Sequence, residues 1–182
     1  MITLVLGGTR SGKSQVAEDL VAGRQATLGG QVTYVATGRA SDDDMAARIA
    51  AHRARRPATW ATVETGAGGG AGGGPDLPAL LAGLTGHVLV DSLGTWVAAD
   101  GELSPDVPAL CAALGTRARD GGGDTVLVSE EVGLGVHPAT EVGRRFADAL
   151  GELNWAVAEV ADRVLLVVAG RVLPLDRVSG PG

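Results

Sequence analysis

Apolar residues fall along this chain in short unbroken runs, separated by stretches with helical spacing. Residues 2–6, 31–37, 87–92, 125–129 and 163–169 are rich in aliphatic and β-branched side chains. Such runs read as strands buried on both faces, the pattern of a parallel sheet. Helical stretches cover 13–22, 42–56, 75–84, 106–118 and 139–161. The last carries an apolar stripe of Val142, Phe146, Leu150, Leu153, Val157 and Val160 at steps of three and four. The helix from Asp42 has Ser41 as its cap and three carboxylates in its first turn, and it stops before Pro57. Gly170 and Arg171 turn the chain into a last strand over 172–175, and 176–182 reads as a loose tail. Strands alternating with helices predict an α/β three-layer sandwich with a mostly parallel central sheet.

Composition narrows the class. A chain of 182 residues, 45% hydrophobic, predicts a single globular domain over residues 1–182. The glycine-rich tract 66–74 (GAGGGAGGG) reads as a flexible loop rather than a boundary. A net charge of −6 and five aromatic residues (Trp 3, Tyr 1, Phe 1) speak against a nucleic-acid surface. Cys111 is the one cysteine, so neither an internal disulfide nor a cysteine zinc cluster forms. No apolar run reaches the roughly 20 residues of a membrane span. The first six residues lack a basic region and run into a glycine loop, so no signal peptide is expected and the default location is the cytoplasm.

One count changes the picture. Of the 15 basic residues a single one, Lys13, is lysine. A lysine that persists among so many arginines marks a place where a compact charge is needed. It sits in Gly7-Gly8-Thr9-Arg10-Ser11-Gly12-Lys13-Ser14, the G-x-x-x-x-G-K-S pattern of a phosphate-binding loop, between a predicted strand and a predicted helix. Glycines let the backbone curl so that its N–H groups meet phosphate oxygens, and the helix start adds partial positive charge. Lys13 would serve the β- and γ-phosphates and Ser14 would hold Mg²⁺. Asp91, ending the strand HVLVD, lies at the carboxyl edge where α/β sheets bind ligands, and is a second metal-ligand candidate.

The segment Arg48-Ile49-Ala50-Ala51-His52-Arg53-Ala54-Arg55-Arg56 places His52 among Arg48, Arg55 and Arg56 on one helix face. Met45 and Ile49 would anchor that helix. Like charge disfavours the imidazolium, and a neutral imidazole is a nucleophile. The arginines could also hold a triphosphate. On residues alone, a solvated basic face with an incidental histidine is the commoner arrangement. His87, starting a strand, and His137, before a proline, have no such basic ring.

Taken together, GGTRSGKS, YVATG (34–38), DDDMAARIAAHRARRP (42–57), W-x-T-V-E (60–64), VLVDSLGTWV (88–97), VSEEVGLGVHP (128–138) and the R-x-F-x-D-x-x-G-x-x-N residues Arg144, Phe146, Asp148, Gly151 and Asn154 resemble one family. It is the bifunctional adenosylcobinamide kinase/adenosylcobinamide-phosphate guanylyltransferase of cobalamin biosynthesis. The resemblance covers about residues 2–175 and implies a P-loop NTPase-like fold. It implies a kinase reaction on adenosylcobinamide with ATP or GTP. It also implies transfer of GMP from GTP, through a guanylylated histidine, to adenosylcobinamide phosphate, giving adenosylcobinamide-GDP and pyrophosphate. That histidine falls on His52, with Lys13 as the catalytic cation. Nucleotide contacts fall on Gly7, Gly8, Thr9, Arg10, Ser11, Gly12, Lys13 and Ser14, on Ala36, Thr37 and Gly38, on Arg53, Ala54, Arg55 and Arg56, and on Glu64 and Asp91. Glu64 suits guanine, whose N1–H and N2 amino group are donors. The resemblance further implies GTP, ATP and Mg²⁺ as cofactors, a corrinoid small molecule as partner, and a homo-oligomer, a trimer in the family, as the assembly. Glu130, His137 and Trp155 stand where the family often has Asn, Val and Gln, and 66–74 looks like an insertion. A single-function P-loop metabolite kinase and a non-catalytic nucleotide switch are the competing readings of the loop.

Overall fold

The computed structural model describes residues 1–38, 53–54, 56–65 and 76–177. Its strands are β1 Ile2–Gly7, β2 Val32–Ala36, β3 Ala61–Glu64, β4 His87–Asp91, β5 Thr125–Glu130, β6 Arg163–Val168 and β7 Arg171–Leu175. Its helices are α1 Lys13–Leu28, α2 Leu77–Gly83, α3 Leu93–Ala99, α4 Val107–Arg119 and α5 Glu141–Val160. The seven strands form one sheet in the order β3-β2-β4-β5-β1-β6-β7. All neighbouring pairs are parallel except the β6–β7 hairpin.

The apolar runs explain the layers. Leu4, Leu6, Val88, Val90 and Leu127 face a core closed by Leu81 of α2, Trp96 of α3, Leu114 of α4 and Leu150, Leu153 and Val157 of α5. The alternate residues Val5, Leu89, Val126 and Val128, with Tyr34, Leu165 and Val167, face Ala17 and Val21 of α1. Strands buried on both faces between two helical layers are the three-layer α/β arrangement expected from sequence.

Several boundaries differ from expectation. Helix α1 runs to Leu28, six residues past the expected end. The last strand starts at Arg171 and is the antiparallel edge. Strand β3 and helix α3 were not expected as elements. The segment ATVE is short and mostly exposed, so it lacks the buried-strand signature. Within the stripe of α5, Leu150, Leu153 and Val157 are fully buried, whereas Val142 is exposed at 65% because it lies in the first turn, beyond the core. The residues from Ser41 to His52 and the tract 66–74 lie outside the described residues.

The amino-end edge of the sheet is tied by polar groups. Asp162 accepts from the Ile2 amide at 2.6 Å, and Asp124 accepts from Arg24 Nε. The Asp124 amide donates to His87 Nδ1 at 3.2 Å, so the ring proton sits on Nε2, which donates to the Gly29 carbonyl at 3.0 Å. His87 is thus a buried structural residue, far from the opposite edge. Arg117 is buried and lies among backbone acceptors. Its Nη1 donates to the last carbonyls of α2, Leu81 and Leu84, its Nη2 to Gly86 at 2.8 Å and Gly122 at 2.9 Å, and its Nε to Thr125 Oγ1 at 3.2 Å. Burial lowers its pKa from the ordinary arginine value. Arg117→Met removes these donors and leaves carbonyls unsatisfied, so chemical denaturation is expected to show a loss of about 2–4 kcal/mol.

Burial raises the Asp124 carboxyl, but hydrogen bonds from Arg24 and the Met1 ammonium outweigh it and hold the group below its ordinary range. The native state therefore releases that proton more readily than the unfolded chain. Its contribution is complete above the unfolded value, about 3.9, and is lost as pH falls through the native one. Asp124→Asn is expected to lower stability at neutral pH and to flatten the fall of the melting temperature below about pH 4.

Candidate functional site

Register decides where the polar residues go. Gly7 pairs with Glu130, Ala36 with both Glu64 and Asp91, and Asp91 with Val128. The carboxyl ends of β1 to β5 therefore share one edge, and β5 reaches two residues beyond Asp91. Along β5, Val126, Val128 and Glu130 alternate onto the α1 face, and along β4 Leu89 and Asp91 do the same.

The loop between β1 and α1 wraps this edge. Arg10 has φ 58° and Gly12 φ 95°, left-handed conformations that curl the backbone back toward the helix start. The loop is held by the Ser11 amide on Gly8 O at 3.2 Å and by the Gly170 amide on Ser11 O at 2.8 Å. The Glu131 amide fixes Gly7 O at 3.1 Å. Gly8, Thr9 and Arg10 are exposed at the mouth, and Ser14 is half-buried in the first turn of α1. Lys13 folds inward, 12% exposed, with Nζ 3.5 Å from Gly8 O and 3.5 Å from Glu130 Oε1. A backbone cradle, a helix start and a lysine form an anion site suited to polyphosphate.

A second cluster lies beside it. Tyr34 OH donates to Asp91 Oδ2 at 3.2 Å. Burial, reinforced by the charge of Asp91, raises the phenol far above its ordinary value, so it remains a donor. The Arg56 guanidinium lies 3.5 Å above the Tyr34 ring centroid. Exposed Arg53 and Glu64 form an ion pair at 3.7 Å, and Ala54 is exposed between the arginines. The residues following His52 in the chain therefore reach the strand ends. His52 and Arg55 lie outside the described residues. Ala36 and Gly38 flank buried Thr37, whose hydroxyl donates to Ser92 O at 2.5 Å and meets Thr95 Oγ1 at 2.6 Å. His137 is exposed in the loop before α5.

The sequence reading missed a set of supporting residues. Ser92 and Thr95 form a capping box at the start of α3, a spacing visible as S-x-x-T after Asp91. Asn154 of α5 accepts from Ser129 Oγ at 2.6 Å and donates to Glu130 O at 3.0 Å. Nothing in local spacing signals that link, because it joins residues 24 and 25 apart.

Hard oxygen donors suit magnesium, and Ser14 and Asp91 supply a hydroxyl and a carboxylate at this edge. Among the described residues no group of three or more His, Cys, Asp or Glu could hold a metal ion.

Fold and site together define a P-loop NTPase-like α/β enzyme that handles nucleotide phosphates. The family model described as cobinamide kinase / cobinamide phosphate guanyltransferase matches residues 3–175. The bifunctional adenosylcobalamin biosynthesis protein CobP of Pseudomonas aeruginosa is 40% identical over 96% of this chain and 97% of its own length. The CobU proteins of Salmonella typhimurium and Escherichia coli are each 36% identical over 93% of the chain and 97% of theirs. The chain belongs to the cobinamide kinase / cobinamide phosphate guanyltransferase family.

Tyr34→Phe keeps the ring beneath Arg56 but removes the bond to Asp91, and a stability loss of about 1–2 kcal/mol is expected. Tyr34→Leu also removes the cation–π face and is expected to cost more. Urea unfolding of the two variants beside the parent protein measures both.

Proposed function

We propose that this edge carries two successive reactions on one corrinoid. First a nucleoside triphosphate, ATP or GTP, phosphorylates the hydroxyl of adenosylcobinamide. Then GTP donates GMP to adenosylcobinamide phosphate by way of His52. The supporting observation is that the Lys13 cradle, Asp91 and the arginine segment following His52 meet at the same strand ends.

In the kinase step the acceptor oxygen attacks the γ-phosphorus and the nucleoside diphosphate leaves. Such transfer needs positioning and charge neutralisation more than covalent help. Lys13 and the loop from Gly7 to Ser14 hold the phosphates, and Ser14 and Asp91 would hold magnesium, whose charge offsets that of the phosphates. Asp91 or Glu131 orients the acceptor. Each already accepts a hydrogen bond, Glu131 from the Gly133 amide at 2.6 Å and Asp91 from the Tyr34 hydroxyl at 3.2 Å.

In the transfer step a neutral His52 nitrogen attacks the α-phosphorus of GTP. The P–N bond forms as the bond to the bridging oxygen breaks, and that electron pair leaves with pyrophosphate. An oxygen of the acceptor phosphate then attacks phosphorus, and the P–N electron pair returns to the imidazole. Splitting the transfer lets one edge receive two anionic substrates in turn. Arg53 and Arg56, with Arg55, offset charge on the transferred group. Glu64 reads the guanine N1–H and amino group, and Ala36, Thr37 and Gly38 line the nucleotide.

The chain acts as a single domain and assembles as a homo-oligomer, for which the family suggests a trimer. Exposed apolar residues on the β6–β7 hairpin, Val168 at 58% and Leu173 at 57%, support an assembly that covers this sheet edge. No helix among the described residues is long and apolar enough to cross a membrane. Incubation with α-³²P-GTP and magnesium is expected to leave an acid-labile label on the denatured protein that His52→Ala abolishes. A label that survives this substitution, or none on the parent protein, overturns the transfer mechanism and leaves a kinase alone.

A further inference from the structure

Glu130 is not a free acid at the end of β5. Its Oε1 lies 3.5 Å from Lys13 Nζ and its Oε2 accepts from Ser92 Oγ at 3.0 Å. Asn154 holds its carbonyl at 3.0 Å, and the Glu131 amide that follows it is bonded to Gly7. Room for the carboxylate is made by Gly94, where a Cβ would collide with Glu130 Oε2. Backbone, side chain and the facing helix start are all fitted to keep a negative charge against the cradle's lysine.

That placement has an electrostatic consequence. Lys13 is the chain's single lysine and is the charge the cradle offers to β- and γ-phosphates. With Glu130 beside it, an arriving polyphosphate must take the ammonium from a carboxylate that stays nearby and repels it. We infer that Glu130 is an internal counter-ion of Lys13 that competes with phosphate for its ammonium and so weakens polyphosphate binding. It is a positioning residue, acting through the lysine. The inference rests on the proposed two-reaction sequence for its purpose. One cradle must release a diphosphate and admit GTP within each cycle, and a carboxylate ready to recapture Lys13 speeds that exchange.

Binding separates this role from a structural one. The probes are GTP with a methylene bridge between the α- and β-phosphates, which cannot transfer GMP, and GMP itself, each titrated calorimetrically with magnesium. Glu130→Gln keeps the length and the Ser92 hydrogen bond while removing the charge. It is expected to bind the triphosphate analogue about tenfold tighter and release it more slowly, with GMP affinity unchanged. Glu130→Asp is expected to fall near the parent protein, and in a Lys13→Met background the Glu130→Gln effect disappears. Equal or weaker analogue binding by Glu130→Gln, or tightening of GMP to the same degree, overturns the inference. His52 labelling by GTP is scored separately. A normal label with no change in affinity sinks this inference alone, whereas a parent protein that binds no triphosphate sinks the functional proposal with it.

Discussion

Side-chain alternation in a parallel sheet is the constraint on which this site depends. Tyr34, Asp91 and Glu130 come from three strands, and each shares a strand face with residues packed on α1. Successive residues point to opposite faces, so a slip of one residue in any of these strands would turn its polar end group toward the other helical layer. Burial on both faces makes such a slip costly. Leu4, Val5, Leu89, Val90, Leu127 and Val128 are fully buried, and a shifted strand would exchange every one of these packings. The apolar core thus fixes where the charges stand, without contacting a ligand itself.

The two edges of the sheet solve opposite problems. At the amino end, charges are neutralised within the chain. Asp124 meets Arg24 and the Met1 ammonium, Asp162 meets an amide, and Arg117 saturates four backbone carbonyls. At the carboxyl end the pairs are longer, Lys13 at 3.5 Å to Glu130 and Arg53 at 3.7 Å to Glu64, the second of them exposed, and Arg56 stacks over an aromatic face. Loose, partly solvated pairs are worth little to stability. They are also easily exchanged for a phosphate, which is what an edge that turns over anionic substrates requires.

Much of this was legible in the sequence for a physical reason. Strands β1, β2, β4 and β5 announce themselves because burial on both faces demands apolar runs, and β6 shares the apolar run although it is only part-buried. The cradle is legible because its glycines, Lys13 and Ser14 are contiguous. Strand β3 was not, since an edge strand of four residues with an exposed face needs no apolar run. Glu64 is therefore legible only as part of W-x-T-V-E and not as the end of a strand. The stripe of α5 is legible at its centre and misleads at its two ends, Val142 and Val160, because periodicity says which face a residue shares and not how far the core extends. The partners of Glu130 were illegible altogether. Gly94, Ser92 and Lys13 meet it only through the register of three strands, and no spacing along the chain encodes that meeting.

The same logic relates the two chemistries. A hydroxyl acceptor and a phosphate acceptor differ by charge, yet both must approach the edge at which Lys13, Asp91 and the arginine segment stand. The elements β1, β4, β5 and the start of α1 carry the phosphate loop, Lys13 and Asp91, to which the proposed reactions assign the phosphates. Arg53 and Arg56 stand on the connection between β2 and β3, and they touch this frame through surface pairs and one stacked ring. Stacking on a ring sets the position of a guanidinium and leaves its charge in place, because a ring face takes no proton. Tyr34 accordingly links that connection to the sheet edge. Its ring meets the segment that follows His52, and its hydroxyl meets Asp91 at the frame.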